Sequence, residues 1–126
     1  MVSVLIVDDD QLIHKVLERL LVAAGFRISG HAFDGAEAVE KFVQMNPKPD
    51  IILMDQRMPM MSGATATRQI QHLDPSSRIL FLSADETVRE EAMAAGALDF
   101  LTKPIRSAIL FEMINKYASS ANRSDS

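Results

Sequence analysis

Residues 2–10 read VSVLIVDDD, an apolar run rich in β-branched side chains that stops abruptly at three aspartates. A run of this kind is typical of a strand that is buried on both faces of a sheet. A second apolar run, IILM at residues 51–54, is also followed by an aspartate, Asp55. The two runs predict buried strands that both end in carboxylates.

The chain changes its hydrophobic period after the first aspartates. Asp10 is placed to cap a helix and Gly25 to end it, so a helix is predicted between them. Its apolar residues recur at helical spacing, and they are Leu12, Ile13, Val16, Leu17, Leu20, Leu21 and Ala24.

The same alternation of strand and helix continues to the end of the chain. Further strands are predicted at 26–33, 79–82 and 97–101, and further helices after Asp34-Gly35, at 64–73, at 86–95 and from Pro104 onward. Pro104 is expected in the first turn of the last helix, where a missing N–H is tolerated. The stripe predicted to be buried on that helix is Ile105, Ile109, Leu110, Met113 and Tyr117. The fourth helix has Val88 and Met93 as its large apolar residues, which predicts a weakly anchored element.

Five strands alternating with five helices imply a parallel sheet covered on both faces, which is a three-layer α/β sandwich. The expected strand order is the flavodoxin-like 2-1-3-4-5, and ligands then bind at the carboxyl ends of strands one and three. The chain has 126 residues, so we expect one domain over residues 1–118 and a polar, frayed tail over 119–126.

Composition excludes several classes of function. The formal net charge is -4, there is no Trp and one Tyr, and no basic patch is interleaved with aromatics, so direct nucleic-acid binding is not expected. The absence of Cys excludes disulfides and thiolate metal sites. No apolar run approaches the length of a membrane span, and a signal peptide is not expected, because no basic segment precedes the first apolar stretch. We therefore expect a soluble, cytoplasmic protein without membrane insertion.

Three carboxylates are expected to meet at the sheet edge, those of Asp8, Asp9 and Asp55. Two carboxylates about 5 Å apart repel by roughly 3 kcal/mol at an effective dielectric constant near 20, so three together call for a cation. Mg²⁺ fits, because it binds carboxylates and a phosphate while it keeps several waters. The alternative is that the first aspartates only cap the helix; it applies best to Asp10 and does not explain Asp55.

The chain resembles the receiver domains of two-component response regulators, including the single-domain, CheY-like chemotaxis members. The resemblance covers residues 2 to about 118 and depends on the order and spacing of six short motifs. They are VLIVDDD (4–10), PDIILMD (49–55), MPMMSG (58–63), LSA (82–84), GA (96–97) and KP (103–104).

The resemblance implies that Asp55 accepts a phosphoryl group from a sensor histidine kinase in a Mg²⁺-dependent reaction. It implies that Asp9 and Asp55 bind the metal directly, Asp8 through water and Arg57 through its backbone carbonyl. The chain would catalyse only its own phosphorylation and a slow loss of the phosphoryl group, so it is not classed as an enzyme.

The resemblance also assigns a phosphoryl-binding and switching set. Ser83, with Ala84 beside it, and Lys103 would bind the phosphoryl group, Phe100 would turn inward on activation, and the Lys103-Pro104 bond is expected to be cis. The surface formed by helix four, strand five and helix five would then control a protein partner, from a chain that is a monomer or a weak dimer. The alternative from the residues alone is that Ser83 only caps the fourth helix and that Phe100 is a simple core residue.

Two other functions are compatible with the sequence, and one residue pair suggests a hypothesis about the loss of the phosphoryl group. The domain could be an interaction module that is never phosphorylated, or a phosphatase with an Asp nucleophile, although no second acid follows two residues after Asp55. Arg57 and Asp85 flank the expected path of a hydrolytic water, and we hypothesise that they pair and slow phosphoryl loss. His14, His31 and His72 lie apart in the sequence and are assigned to no site.

Overall fold

A computed structural model describes the backbone of residues 1–124 and the side chains of residues 1–119. Five strands form a single parallel sheet in the order β2-β1-β3-β4-β5, which confirms the predicted strand order. The strands are β1 (Ser3–Val7), β2 (Arg27–Ala32), β3 (Ile51–Met54), β4 (Ile79–Ser83) and β5 (Asp99–Thr102). Four of the five differ from the predicted bounds by one or two residues at an end.

The helices cover the two faces of this sheet. They are α1 (Gln11–Ala23), α2 (Gly35–Gln44), α3 (Gly63–Leu73), α4 (Arg89–Ala95) and α5 (Ser107–Ser124). Alternate strand residues point to opposite faces, so Val4 and Ile6 pack with α1 and α5, while Leu5 and Val7 pack with α2, α3 and α4. The three-layer α/β sandwich is therefore confirmed.

The ends of α1 are those that the sequence predicts. The Asp10 carboxylate accepts a hydrogen bond of 2.8 Å from the Leu12 backbone N–H and thus caps the helix. Gly25 follows the last turn with φ +95°, a conformation that glycine adopts without the steric cost of a Cβ.

The fourth helical segment is shorter than predicted. A single 3₁₀ turn (Glu86–Val88) precedes α4, because Asp85 accepts a hydrogen bond from the Thr87 N–H and tightens the first turn. At the other end, the Ala97 N–H donates to the Ala92 carbonyl, so Ala97 takes part in the cap that follows α4. For that reason β5 begins at Asp99 and not at Ala97.

The last helix begins later than predicted. It starts at Ser107, because the N–H groups of Ile109 and Leu110 both donate to the Arg106 carbonyl, so Pro104 lies in the preceding loop and not in the first turn. Its fully buried stripe is Leu110, Ile114 and Ala118. The prediction of Ile109 as buried is wrong, since 44% of that residue is exposed. The predicted polar tail overlaps α5 as far as Ser124, and Asp125 and Ser126 lie outside the described residues.

Helix α1 packs through a narrower face than its apolar content indicates. Leu17 and Leu21 are buried against the sheet, together with a polar residue, His14. Leu12, Val16 and Leu20 are exposed. None of the helices in the described part of the chain has the length and apolar character that crossing a membrane requires.

Candidate functional site at the carboxyl edge of the sheet

The register of the sheet brings the carboxyl ends of four strands side by side. Val7 is paired with Met54, so Asp8 and Asp55 are the next residues on two neighbouring strands. Ser83 is paired with Thr102, and Lys103 follows directly. The residues expected to form a site therefore lie on adjacent strands of one sheet edge. Ten residues line the resulting cleft of about 590 Å³, namely Asp8, Asp9, Asp10, Ile13, Asp55, Arg57, Ser83, Ala84, Asp85 and Lys103.

Asp8 is the buried anchor of this cleft, with 5% of its surface exposed. One carboxylate oxygen accepts a hydrogen bond of 2.9 Å from the Asp10 backbone N–H. The other accepts one of 3.0 Å from the Lys103 ammonium group, whose side chain crosses from the loop after β5. A buried carboxylate needs such a cationic partner, because burial of an unpaired charge is costly.

Three carboxylates lie within reach of one cation. Ligand oxygens of Asp8, Asp9 and Asp55 all lie within 4.8 Å of one another, and of the three Asp9 is the exposed one. Burial and the neighbouring charge of Asp8 raise the pKa of Asp55 from 3.8 to about 6, against the lowering effect of Lys103. Carboxylate oxygens grouped in this way could hold a hard cation, whose charge would offset the repulsion between them.

The loop after β3 is fixed directly over Asp55. The Gly63 N–H donates to the Gln56 carbonyl at 3.0 Å, and the Gln56 side-chain carbonyl accepts from the Ala64 N–H at 2.8 Å. A Cβ on Gly63 would lie 2.0 Å from the Asp55 carbonyl oxygen. The start of α3 therefore approaches the Asp55 backbone more closely than any residue with a side chain permits.

The mouth of the cleft carries an ion pair. The Arg57 guanidinium donates to the Asp85 carboxylate, and the Arg57 side chain is 79% exposed. Hydrogen bonds from the Thr87 hydroxyl and backbone lower the pKa of Asp85, and Arg57 lowers it further. The pairing that the sequence-based hypothesis assumes is thus present in the structure.

The remaining predicted site residues surround the cleft at different depths. The Ser83 hydroxyl is buried and accepts a hydrogen bond of 3.2 Å from the Asp85 N–H, so it also serves as a local cap. Phe100 lies beneath the site and stacks on Phe81, with ring centroids 6.1 Å apart. With 3% of its surface exposed, the Phe100 ring already lies inside in this structure. The Lys103–Pro104 peptide bond is cis.

Sequence analysis missed one group of residues next to the site. His14 and His31 are separated by 17 positions, yet their Nδ1 atoms lie 2.7 Å apart, and His14 Nε2 lies 2.7 Å from the Asp8 carbonyl oxygen. The one sequence feature that could have indicated this contact was the position of His14 among the residues of α1 that face the sheet.

Comparisons with known proteins agree with this geometry. The family model of the response regulator receiver domain matches residues 4–115. The chemotaxis protein CheY of Thermotoga maritima is 40% identical over 115 residues, which cover 90% of this chain and 94% of that protein.

Two solved structures share the fold at a similar level of identity. One is the CheX–CheY complex with BeF3 and Mg²⁺ from Borrelia burgdorferi, at 33% identity and a TM-score of 0.85, covering 91% of this chain and 87% of that one. The other is the receiver domain of a sensor histidine kinase from Pseudomonas aeruginosa with a magnesium ion in its active-site cleft, at 30% identity and a TM-score of 0.84, covering 93% and 97%. The matched domain model, these relatives and the five-stranded fold establish that the chain belongs to the family of response regulator receiver domains.

Proposed function

We propose that this chain is a phospho-acceptor of a two-component phosphorelay in the cytoplasm. In this proposal Asp55 accepts a phosphoryl group from a sensor histidine kinase, and the resulting change at the surface of α4, β5 and α5 controls a protein partner. The observation that carries the proposal is the convergence of one half-buried carboxylate, two further acids and a lysine at a single sheet edge.

Asp55 is the proposed nucleophile. A carboxylate oxygen attacks phosphorus, the phosphorus–nitrogen bond of the donor phosphohistidine breaks, and the departing imidazole nitrogen keeps the electron pair and takes up a proton from solvent. Carboxylates are weak nucleophiles, so the rate depends on geometry and on neutralisation of charge. Asp55 is held for this role from both sides, by the Val7 carbonyl that accepts its N–H at 3.0 Å and by the close approach of Gly63.

The acids fit a magnesium ion. Asp9 and Asp55 would bind it directly, Asp8 through water and Arg57 through its backbone carbonyl. When bound, Mg²⁺ would orient the phosphoryl oxygens and offset their charge. Asp8 is held from two sides by Asp10 and Lys103, whereas Asp9 is exposed and free to meet a ligand that enters from solvent.

Lys103 and Ser83 would bind the phosphoryl group from the other side of the cleft, next to Ala84. The Lys103 ammonium group already lies at the cleft on Asp8, and a phosphoryl group on Asp55 would compete for it as a second anion. The Ser83 hydroxyl, whose oxygen accepts from the Asp85 N–H, would donate its own hydrogen to a phosphoryl oxygen.

The new contacts of Lys103 and Ser83 would act on the elements that carry the proposed output surface. Ser83 ends β4, and the 3₁₀ turn and α4 follow directly. Phe100 lies between this segment and the core, and the guanidinium of Arg89 on α4 lies 5.0 Å above its ring. Because Phe100 is already buried, we infer that activation repacks α4 around the ring and does not require the ring to enter from solvent. Phosphorylation would thus shift a pre-existing equilibrium of the α4–β5–α5 surface.

Arg57 and Asp85 are proposed to set the lifetime of the phosphoryl group. Their ion pair crosses the mouth through which a hydrolytic water would approach Asp55. A closed pair limits that approach and slows hydrolysis.

The deciding experiment is incubation with a small phosphodonor and Mg²⁺, followed by intact mass spectrometry. We expect the addition of one phosphate, which is absent in Asp55→Asn and in the presence of a chelator. Asp10→Asn is the matched control, because Asn caps a helix as well as Asp does, and it should still be phosphorylated. A chain that takes up no phosphate would instead be an unphosphorylated interaction module. Continuous turnover of small phosphoesters would indicate a phosphatase with an Asp nucleophile.

A further inference from the structure

A chain of polar side chains connects the surface of α1 to the backbone of Asp8. His14 Nε2 lies 2.7 Å from the Asp8 carbonyl oxygen, and His14 Nδ1 lies 2.7 Å from His31 Nδ1. His31 Nε2 lies 2.9 Å from a carboxylate oxygen of Glu18, one turn further along α1. His14 is 3% exposed, and Phe33 covers its ring at a centroid distance of 4.2 Å. Buried polar groups linked in this way are held in one arrangement.

A bulge in β2 makes this contact possible. The register runs from Val4–Ile28 to Leu5–Gly30, so Ser29 is an extra residue without a partner on β1. The extra residue reverses the faces of the following positions, and His31, which pairs with Ile6, points toward α1. The Lys41 ammonium group donates to the His31 backbone carbonyl and fixes this end of the strand.

The partners determine which atoms donate. The Asp8 carbonyl can only accept, so His14 Nε2 must carry a hydrogen. The half-exposed Glu18 carboxylate also only accepts, so His31 Nε2 carries one as well. The 2.7 Å contact between the two Nδ1 atoms completes the connection from Glu18 to the Asp8 carbonyl.

The end of this hydrogen-bonded series at His14 determines where Asp8 and Asp9 lie. The Asp8 N–H donates to the Ala32 carbonyl at 3.1 Å, and its carboxylate is held by Asp10 and Lys103. The bond from His14 is the contact that fixes the remaining polar group, the carbonyl of the Asp8–Asp9 peptide. The orientation of that peptide decides where the Asp9 side chain begins.

We propose that His14 is a positioning residue for the magnesium site, acting with His31 and Glu18 through the carbonyl of Asp8. The inference rests on the proposed function, because it concerns the affinity of the same acids for Mg²⁺. Residues that orient metal ligands contribute about tenfold or more to metal affinity, although they do not touch the ion. His14 and His31 do not line the cleft, so their role in metal binding would be indirect.

The test compares the dissociation constant for Mg²⁺, measured by calorimetry, in three variants. His14→Phe keeps an aromatic ring and removes the donor, and we expect binding about tenfold weaker. His14→Gln keeps an amide N–H near the position of Nε2, and we expect it to restore most of the affinity. Ile114→Val is the matched control, since it loosens the core beneath α5 without contact to Asp8 and should leave the affinity unchanged.

A second measurement uses the wild-type chain and does not depend on how the variants fold. In an NMR titration with Mg²⁺, the imidazole resonances of His14 and His31 should move together with the Asp9 amide. The imidazole of His72, on α3, should not move. Stationary His14 resonances while the Asp9 amide shifts would overturn the proposal.

The outcomes separate this inference from the function on which it rests. Equal Mg²⁺ affinity in wild type and His14→Phe overturns the inference alone, and so does a His14→Gln variant as weak as His14→Phe. A wild-type chain that binds no Mg²⁺ overturns the magnesium site of the proposed function, and the inference with it. Weaker binding in His14→Phe with recovery in His14→Gln supports both.

Discussion

Replacement of Asp55 by Asn should stabilise the protein at neutral pH in the absence of divalent cations. Burial and the charge of Asp8 raise the pKa of Asp55 from 3.8 to about 6, so the folded state holds this carboxylate at a penalty. A shift of about two pKa units corresponds to about 3 kcal/mol at full effect, and solvent at this half-buried site reduces it to about 1–2 kcal/mol. Asn has nearly the same shape and carries no charge.

The same pKa shift determines how the difference in stability between wild type and Asp55→Asn changes with pH. Below pH 4 the carboxyl group is protonated in the folded and the unfolded chain, so wild type and Asp55→Asn should be about equally stable. Stability of the wild type is lost as the pH rises from about 4 through about 6, because over this range the unfolded chain releases the proton first. Above that range the difference should be constant.

Urea unfolding followed by circular dichroism from pH 4 to pH 8, with a chelator present, measures this difference. The matched control is Asp74→Asn, which removes a carboxylate from the loop before β4, at the opposite edge of the sheet. Added Mg²⁺ should stabilise the wild type more than the variant and shrink the gap. A gap that is independent of pH, or an Asp55→Asn variant that is less stable at pH 7, would refute the electrostatic reasoning.

The ion pair at the mouth of the cleft, the close approach of Gly63 to Asp55 and the proposed switch at α4 can each be tested. The Arg57→Ala variant should lose its phosphoryl group about two- to fivefold faster than wild type, the range of an exposed ion pair, and equal half-lives of the phosphorylated proteins would rule out a role for the pair with Asp85. Gly63→Ala should destabilise the fold by about 3 kcal/mol, because its Cβ would lie 2.0 Å from the Asp55 carbonyl oxygen. Gly25→Ala, with open space around the new Cβ, should cost about 1 kcal/mol. Similar losses of stability for the two variants in urea unfolding would contradict the steric argument. Amide exchange in α4 should change when a beryllofluoride mimic of the phosphoryl group binds, and unchanged exchange would count against a switch at that helix.

Residues at strand ends are the part of the site that sequence predicts well. Apolar runs that stop at Asp8 and Asp55 mark where two strands leave the core, and parallel strands bring those ends together whatever the details of packing. The caps at Asp10 and Gly25 are equally local, because each depends on hydrogen bonds or dihedral angles within a few residues.

The contact between His14 and His31 could not be predicted, because it depends on the register of β2 on β1, two strands that are distant in sequence. His31 faces α1 only because Ser29 is bulged out of the pairing with β1, and no local pattern marks that residue. The later start of α5 has a different, local cause, because the N–H groups of Ile109 and Leu110 both donate to the Arg106 carbonyl. The burial of Phe100 against Phe81 comes from packing between strands.

The alternation of strand residues between two cores limits how such a chain can change in length. A single insertion within β1 or β3 would exchange the residues facing α1 and α5 with those facing α2, α3 and α4, so both cores would fail together. Loops at the carboxyl edge hold the acids and the lysine, and they are equally closed to insertions. Room for extra residues remains at the opposite edge, at the exposed positions 46–48 and 75–76, where an inserted epitope or fluorescent label lies away from the cleft.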